Sequence, residues 1–238
     1  MSSDIIEVWL VRTDVPDAVL AGLEALLDDD ERERAANFLY PARRRQFIAS
    51  HGAVRLILGR HLGMPAESLR WRRGPHGKPE LSGPAAAPQV SFSKSGGLAA
   101  LAIAGNRRVG VDVQRLLADL DVVRMAQRFY PPEEAQFVGS AAEPARQVDR
   151  FTLLWVRKEA CVKVSGGRLL PGLRRAVLQT CVTGADLAGS PTGPYLVRDL
   201  RVPRGFLAAV AAEGTRPFSI NRRWMYLEQR RHQFQSAE

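Results

Sequence analysis

Apolar positions along the chain gather into two long helical stretches, each followed by shorter runs of β character. From Ala42 to His61 the apolar residues fit one helix, and Gly63 supplies its stop. A turn-rich loop with Gly74, Pro75, Gly77, Pro79, Gly83 and Pro84 comes next. Val90–Phe92, Leu98–Ile103 and Val109–Val113 then read as strands, being short, apolar and β-branched in part. A second helix is predicted over Val148 to Val164, closed by Gly166 and Gly167.

The two halves match one another in order. Arg34-Ala35-Ala36-Asn37-Phe38 pairs with Glu133-Glu134-Ala135-Gln136-Phe137, Phe47 to Gly63 with Phe151 to Gly167, and Gly96 to Leu101 with Gly205 to Val210. Matches that keep their order, with spacings that drift slowly as loops lengthen, point to two copies of one unit. The expected fold class is α+β, a pseudo-dimer of two similar lobes over residues 1–108 and 109–238, with the tail from Arg216 wrapping back on the body. A cleft between such lobes is a natural ligand site.

Composition narrows the class. Of 238 residues, 45% are hydrophobic and 25% charged, which suits a globular protein rather than a disordered one. No apolar run nears the roughly 20 residues of a spanning helix, and Asp4 and Glu7 beside the first apolar residues do not suit a secretory leader. Cys161 and Cys181 stand apart, with no zinc spacing, so a cytoplasmic location is expected. A net charge of +9 and a pI near 10.3 imply an anionic partner. The arginines are scattered rather than gathered in a stripe, and no nucleic-acid motif is present, so neither nucleic acid nor membrane is the expected partner.

Four segments carry candidate chemistry. In a strand through Gly110-Val111-Asp112-Val113-Gln114, Asp112 and Gln114 share a face opposite the valines. Paired oxygen donors suit a hard cation such as Mg²⁺, although an edge strand with a polar face has the same pattern. Trp155, Glu159 and Lys163 recur every four residues and form one helix stripe. The tryptophan indicates that part of this stripe is covered, and a covered carboxylate calls for a cation. Lys78 lies in the turn Gly74 to Pro79, and Ser91-Phe92-Ser93-Lys94-Ser95-Gly96-Gly97 offers hydroxyls, an ammonium and backbone N–H groups to an anion. His51 lies within the first helix and reads as structural; no nucleophile elbow, kinase, Walker or dinucleotide signature occurs.

Taken in order, Gly77-Lys78-Pro79, Ser91-Phe92-Ser93-x-Ser95, Gly110-Val111-Asp112-Val113-Gln114, Arg128-Phe129-Tyr130 with Glu134, and Trp155-x-x-Lys158-Glu159-Ala160-x-x-Lys163 resemble the surfactin-type 4'-phosphopantetheinyl transferases. The resemblance implies a monomeric, Mg²⁺-dependent enzyme that moves the 4'-phosphopantetheine arm of coenzyme A onto a serine of an acidic acyl or peptidyl carrier protein. Such carriers serve fatty acid, polyketide or nonribosomal peptide synthesis. It implies Asp112, Gln114 and Glu159 as metal ligands, Glu159 and Lys163 as catalytic groups, and Arg44, Lys78, Ser93, Lys94 and Lys163 as coenzyme A contacts. Two positions depart from the family pattern. Gln114 stands where glutamate is usual, and Lys94 stands in the place of the histidine of a serine-histidine-serine turn. A relative that binds coenzyme A or a carrier without transfer is the alternative those departures raise.

Overall fold

The computed structural model describes residues 4–74, 78–82, 87–179, 181–182, 194–227 and 234–236. Pro75, His76 and Gly77 of the expected lysine turn, together with Gly83 and Pro84, lie outside the described residues.

The chain opens with β1 (Asp4–Arg12), followed by α1 (Asp17–Glu24), α2 (Asp29–Ala36) and the long α3 (Pro41–Leu62). A hairpin of β2 (Trp71–Arg73) and β3 (Pro79–Leu81) leads to β4 (Gln89–Ser95), β5 (Leu98–Ala104) and β6 (Val109–Arg115). Then come α4 (Val122–Phe129), α5 (Pro132–Gly139), α6 (Pro144–Ser165) and α7 (Leu169–Leu173). Five strands finish the chain: β7 (Cys181–Val182), β8 (Tyr195–Asp199), β9 (Phe206–Glu213), β10 (Phe218–Met225) and β11 (Phe234–Ser236). The two long helices obey the same local rules. Each starts with proline in its first turn, where a missing N–H costs nothing, and each ends on a left-handed glycine, Gly63 (φ 65°) or Gly166 (φ 69°).

One sheet has the order β11-β10-β1-β5-β4 and a second has β6-β9-β8-β7. Strand alternation distributes their faces among three apolar clusters. Ile6, Val8 and Leu10 of β1 and Leu98, Ala100 and Ala102 of β5 meet Val109, Val111 and Val113 of β6 and Ala208, Val210 and Ala212 of β9 in a shared central core. The opposite faces of β1 and β5 bury Trp9, Val11, Leu101 and Ile103 against α1 and α3. The opposite face of β9 buries Ala209 and Ala211 against the helices of the second half, with Phe151, Leu154 and Val156 of α6. Residues 98 to 104 are therefore wholly apolar because β5 is covered on both sides.

The segment after Arg216 returns to the first sheet, where β10 runs parallel to β1 from Asp4↔Phe218 to Val11↔Met225. Arg107, in the connection before β6, is buried; its guanidinium bonds Asp4 and the carbonyls of Glu213, Gly214 and Arg216. The expected boundary at 108/109 thus falls beside a staple that ties the start of β1 to the end of β9 and the turn before β10.

The strand expected over Val90–Phe92 extends to Ser95, so Ser93-Lys94-Ser95 is strand and not the turn expected of it. Val90 and Phe92 face the α3 core, while Ser91, Ser93 and Ser95 face β6. Both β4 and β6 are edge strands. Ser91 Oγ accepts from the Val111 N–H at 3.0 Å and Ser95 Oγ from the Arg115 N–H at 3.1 Å. Side-chain hydroxyls thereby satisfy an otherwise open strand edge and seam the two sheets. Only the following Gly96 and Gly97, with positive φ, form a turn.

Candidate active site

The seam places β6 hard against α6. A Cβ on Gly110 would lie 2.0 Å from the Ala160 carbonyl oxygen and 2.8 Å from the Val164 nitrogen, so only glycine lets strand and helix approach this closely. Two residues on, Asp112 emerges toward Lys163, from the last turn of α6. Lys163 Nζ donates to Asp112 Oδ1 at 2.7 Å, and Ser93 Oγ donates to the same oxygen at 2.6 Å. Asp112 Oδ2 is buried with no hydrogen-bond partner. Glu159, one helical turn before Lys163, sits close enough to feel both groups. Burial first, and the Asp112 charge second, push its carboxyl above the ordinary range, while Lys163 pulls it back. Asp112, Glu159 and Lys163, distant in sequence, are thus one cluster.

Gln114 lies two residues beyond Asp112 on the same strand face and is half-buried. Its amide nitrogen donates to the Arg115 carbonyl at 3.1 Å, which leaves the amide oxygen as the outward donor atom. Among the described residues no group of three or more His, Cys, Asp or Glu side chains forms a metal cluster. The available set is two carboxylates and an amide. Its buried unpartnered oxygen and its pair of mutually repelling carboxylates fit a hard divalent cation whose other positions go to water and substrate oxygens.

Beside the cluster opens a cavity of about 390 Å³. Lys163, Lys78 and Arg34 supply cationic wall, and Trp71, Phe92 and His51 supply ring faces. Lys78 Nζ points toward the carbonyls of Val109 (3.4 Å) and Val164 (3.5 Å). Burial, reinforced by Arg108, lowers its pKa to about 8. It therefore sits in a site that penalises its own charge until an anion arrives.

The remaining expected contacts stand differently. Ser93 donates its hydroxyl hydrogen bond to Asp112. Lys94, on the other face of β4, buries its ammonium 4.4 Å above the Phe47 ring, without a hydrogen-bond partner. Burial first, then Arg34, lowers its pKa to about 8. Arg44 does not join the cavity: it is exposed at the start of α3 and pairs with Glu24 at 2.7 Å. Arg34, one helix earlier, is the arginine that lines the wall. Sequence reasoning used Arg34 only in the internal match; its acidic surroundings on α2 gave no sign of an anion site. Trp71 and Glu31 went unnoticed for the same kind of reason, since neither lies in a patterned segment.

Two motif residues prove structural. Glu134 is buried and holds Lys158 at 2.5 Å while accepting from the N–H groups of Val177 and Leu178. Tyr130 stacks on Phe151 with ring centroids 5.0 Å apart. They fix α5, α6 and the segment after α7 around the stripe that carries Glu159.

The 4'-phosphopantetheinyl transferase superfamily matches residues 108–200, the stretch from β6 through α6 to the end of β8. Along more of its length the chain is similar to the 4'-phosphopantetheinyl transferase HetI of Nostoc sp., 31% identical over 215 residues that make up 89% of each chain. It is 30% identical to slr0495 of Synechocystis sp. over 72% of this chain and 69% of that one. A phosphopantetheinyl transferase of Thraustochytrium sp. is 28% identical over 87% of this chain and 78% of its own. The class so defined is a transferase enzyme on an α+β fold. The chain belongs to the 4'-phosphopantetheinyl transferase superfamily.

Proposed function

We propose that this enzyme transfers 4'-phosphopantetheine from coenzyme A to the serine of an apo acyl or peptidyl carrier protein with magnesium bound, and that 3',5'-ADP leaves. The observation that carries the reading is the cluster of Asp112, Glu159 and Lys163, which meets through Lys163 a cavity whose wall carries Arg34, Arg72, Arg73 and Lys78 alongside Asp28, Asp30 and Glu31.

Asp112, Glu159 and the amide oxygen of Gln114 would hold the cation, with the unpartnered Asp112 Oδ2 as its first ligand atom. Bound there, a divalent ion neutralises pyrophosphate charge, the main requirement of a phosphoryl-type transfer. Lys163 stabilises the departing 3',5'-ADP. Glu159 takes the proton from the carrier serine. Its burial raises its basicity and so improves the match between base and hydroxyl. Lys78 and Arg34 bind coenzyme A phosphates from the walls, and Ser93 orients Asp112. The net charge of +9 steers an acidic carrier toward the site.

Incubation with coenzyme A, Mg²⁺ and several apo carriers, read by the mass of the carrier, tests the proposal. Gain of one phosphopantetheine, abolished by EDTA, is the expected result. No gain on any carrier, with coenzyme A still bound, would establish a binding role instead.

A further inference from the structure

Among the cavity-lining side chains that the transfer does not use is one imidazole. His51, on α3, lines the wall, stacks on Phe47 with centroids 3.9 Å apart and meets Phe92 edge-on at 5.2 Å. Its Nδ1 lies 2.9 Å from Glu31 Oε1. Glu31 is in turn held by Arg55, a fully buried guanidinium that bonds Glu31 Oε2 at 2.6 Å, Asp28, and the carbonyls of Ala66 and Leu69.

This chain of bonds fixes the imidazole. The pairings of Glu31 with His51 and Arg55 favour its ionised form, and an ionised carboxylate only accepts, so Nδ1 must carry the proton. Burial favours the neutral ring; Glu31 pulls toward the imidazolium, and burial together with the charges of Lys94 and Arg34 outweighs it. Nε2 is then a lone-pair acceptor, and among the described residues it has no hydrogen-bond partner.

We infer that His51 is a specificity-determining residue that accepts a hydrogen bond, through Nε2, from an N–H or O–H of the nucleoside end of coenzyme A. The inference rests on the reading of coenzyme A as the substrate. The end is assigned by charge. Arg34 and Lys94 flank His51, and of the two ends of coenzyme A beyond its pyrophosphate only the nucleoside end carries a phosphate, whereas pantetheine is uncharged. With the pyrophosphate at Lys163, the ribose and base reach along the wall toward His51. The family histidine replaced by Lys94 thus has an imidazole from another element as its neighbour. Glu31 and Arg55 are positioning residues, acting only through the ring.

Calorimetric titration of the full chain with 3',5'-ADP and with coenzyme A tests this. His51→Asn keeps a donor for Glu31 and removes the cavity nitrogen; His51→Gln returns an amide oxygen near the Nε2 position. The expected result is an affinity for 3',5'-ADP about tenfold weaker in His51→Asn, the loss of about one hydrogen bond, with partial recovery in His51→Gln and an unchanged unfolding temperature. Titration with 2'-deoxy and 6-deamino analogues separates a ribose hydroxyl from a base amino group: the donor is the one whose removal costs the wild type but not His51→Asn. If His51→Asn weakens coenzyme A but not 3',5'-ADP, the contact is to pantetheine and the inference falls. Equal affinity of all three proteins for both ligands also overturns it. In either case carrier modification by the wild type would persist, whereas a wild type that binds neither ligand sinks the substrate reading itself.

Discussion

Asp112 makes two hydrogen bonds through Oδ1 and buries Oδ2 without a partner, leaving an acceptor that a water, ligand or ion would complete. Asp112→Ala should therefore abolish transfer and Mg²⁺ dependence together while the far-UV spectrum stays unchanged. Glu159→Gln should lower kcat by about 10²–10⁴-fold, the range for a lost general base, with a smaller change in KM for coenzyme A. Two lysines set the alkaline limb. Lys78 and Lys94 titrate near 8 in the folded chain against 10.5 ordinarily. Raising the pH through 8 removes their charge, so KM for coenzyme A should climb above that point. The sign for stability is the reverse. Between about 8 and 10.5 the unfolded chain binds more protons, so the free enzyme should gain stability as pH rises across that window, a trend readable by urea titration. The family resemblance supplied the expected roles of Asp112, Glu159 and Lys163, whose faces on strand and helix were legible from spacing, because a strand and a helix each fix where a side chain points. Ser93, Lys94 and Arg44 were not, because their partners come from elements far away in sequence.

At the scale of elements the site depends on how closely β6 lies on α6. Gly110→Ala inserts a methyl where the Ala160 carbonyl already stands. Overpacking commonly costs about 1–3 kcal/mol, and here the obstacle is backbone. The variant should unfold at lower denaturant and lose most of its transfer, since Asp112 would move with the strand. Both long helices were predicted within a few residues, because proline starts and glycine stops are local signals. Residues 93–95 were misread as a turn although the serines alternate with Val90, Phe92 and Lys94 in strand period. Polar residues on a strand usually mean solvent; here they meet the open edge of a second sheet, which no local pattern announces.

At the scale of the whole molecule, the central core draws residues from β1 and β5 and from β6 and β9, and β10 completes the first sheet. The second half buries a cluster of its own beneath α6, but the central core is shared by both halves. Residues 1–108 expressed alone should fail to fold, and the full chain should unfold in a single transition by circular dichroism and by tryptophan fluorescence alike. Among the described residues no helix is long and apolar enough to cross a membrane, and the net charge is +9. Carrier modification should slow as salt rises, through kcat/KM for the carrier, because exposed charges are screened within about 10 Å at 0.1 M ionic strength. Some of this protein was fixed by its sequence alone: the long helices, the apolar strands, the recurrence of one half in the other and the stripe of Trp155, Glu159 and Lys163. All of these are periodic, and periodicity is written into neighbouring residues. Only the tertiary structure decided that serines would seam two sheets, that Arg34 rather than Arg44 would reach the cavity, and that Arg55 and Glu31 would hold His51 in its wall. Those outcomes depend on which unpaired donors and buried charges meet across the fold, and no stretch of chain contains both sides of such a meeting.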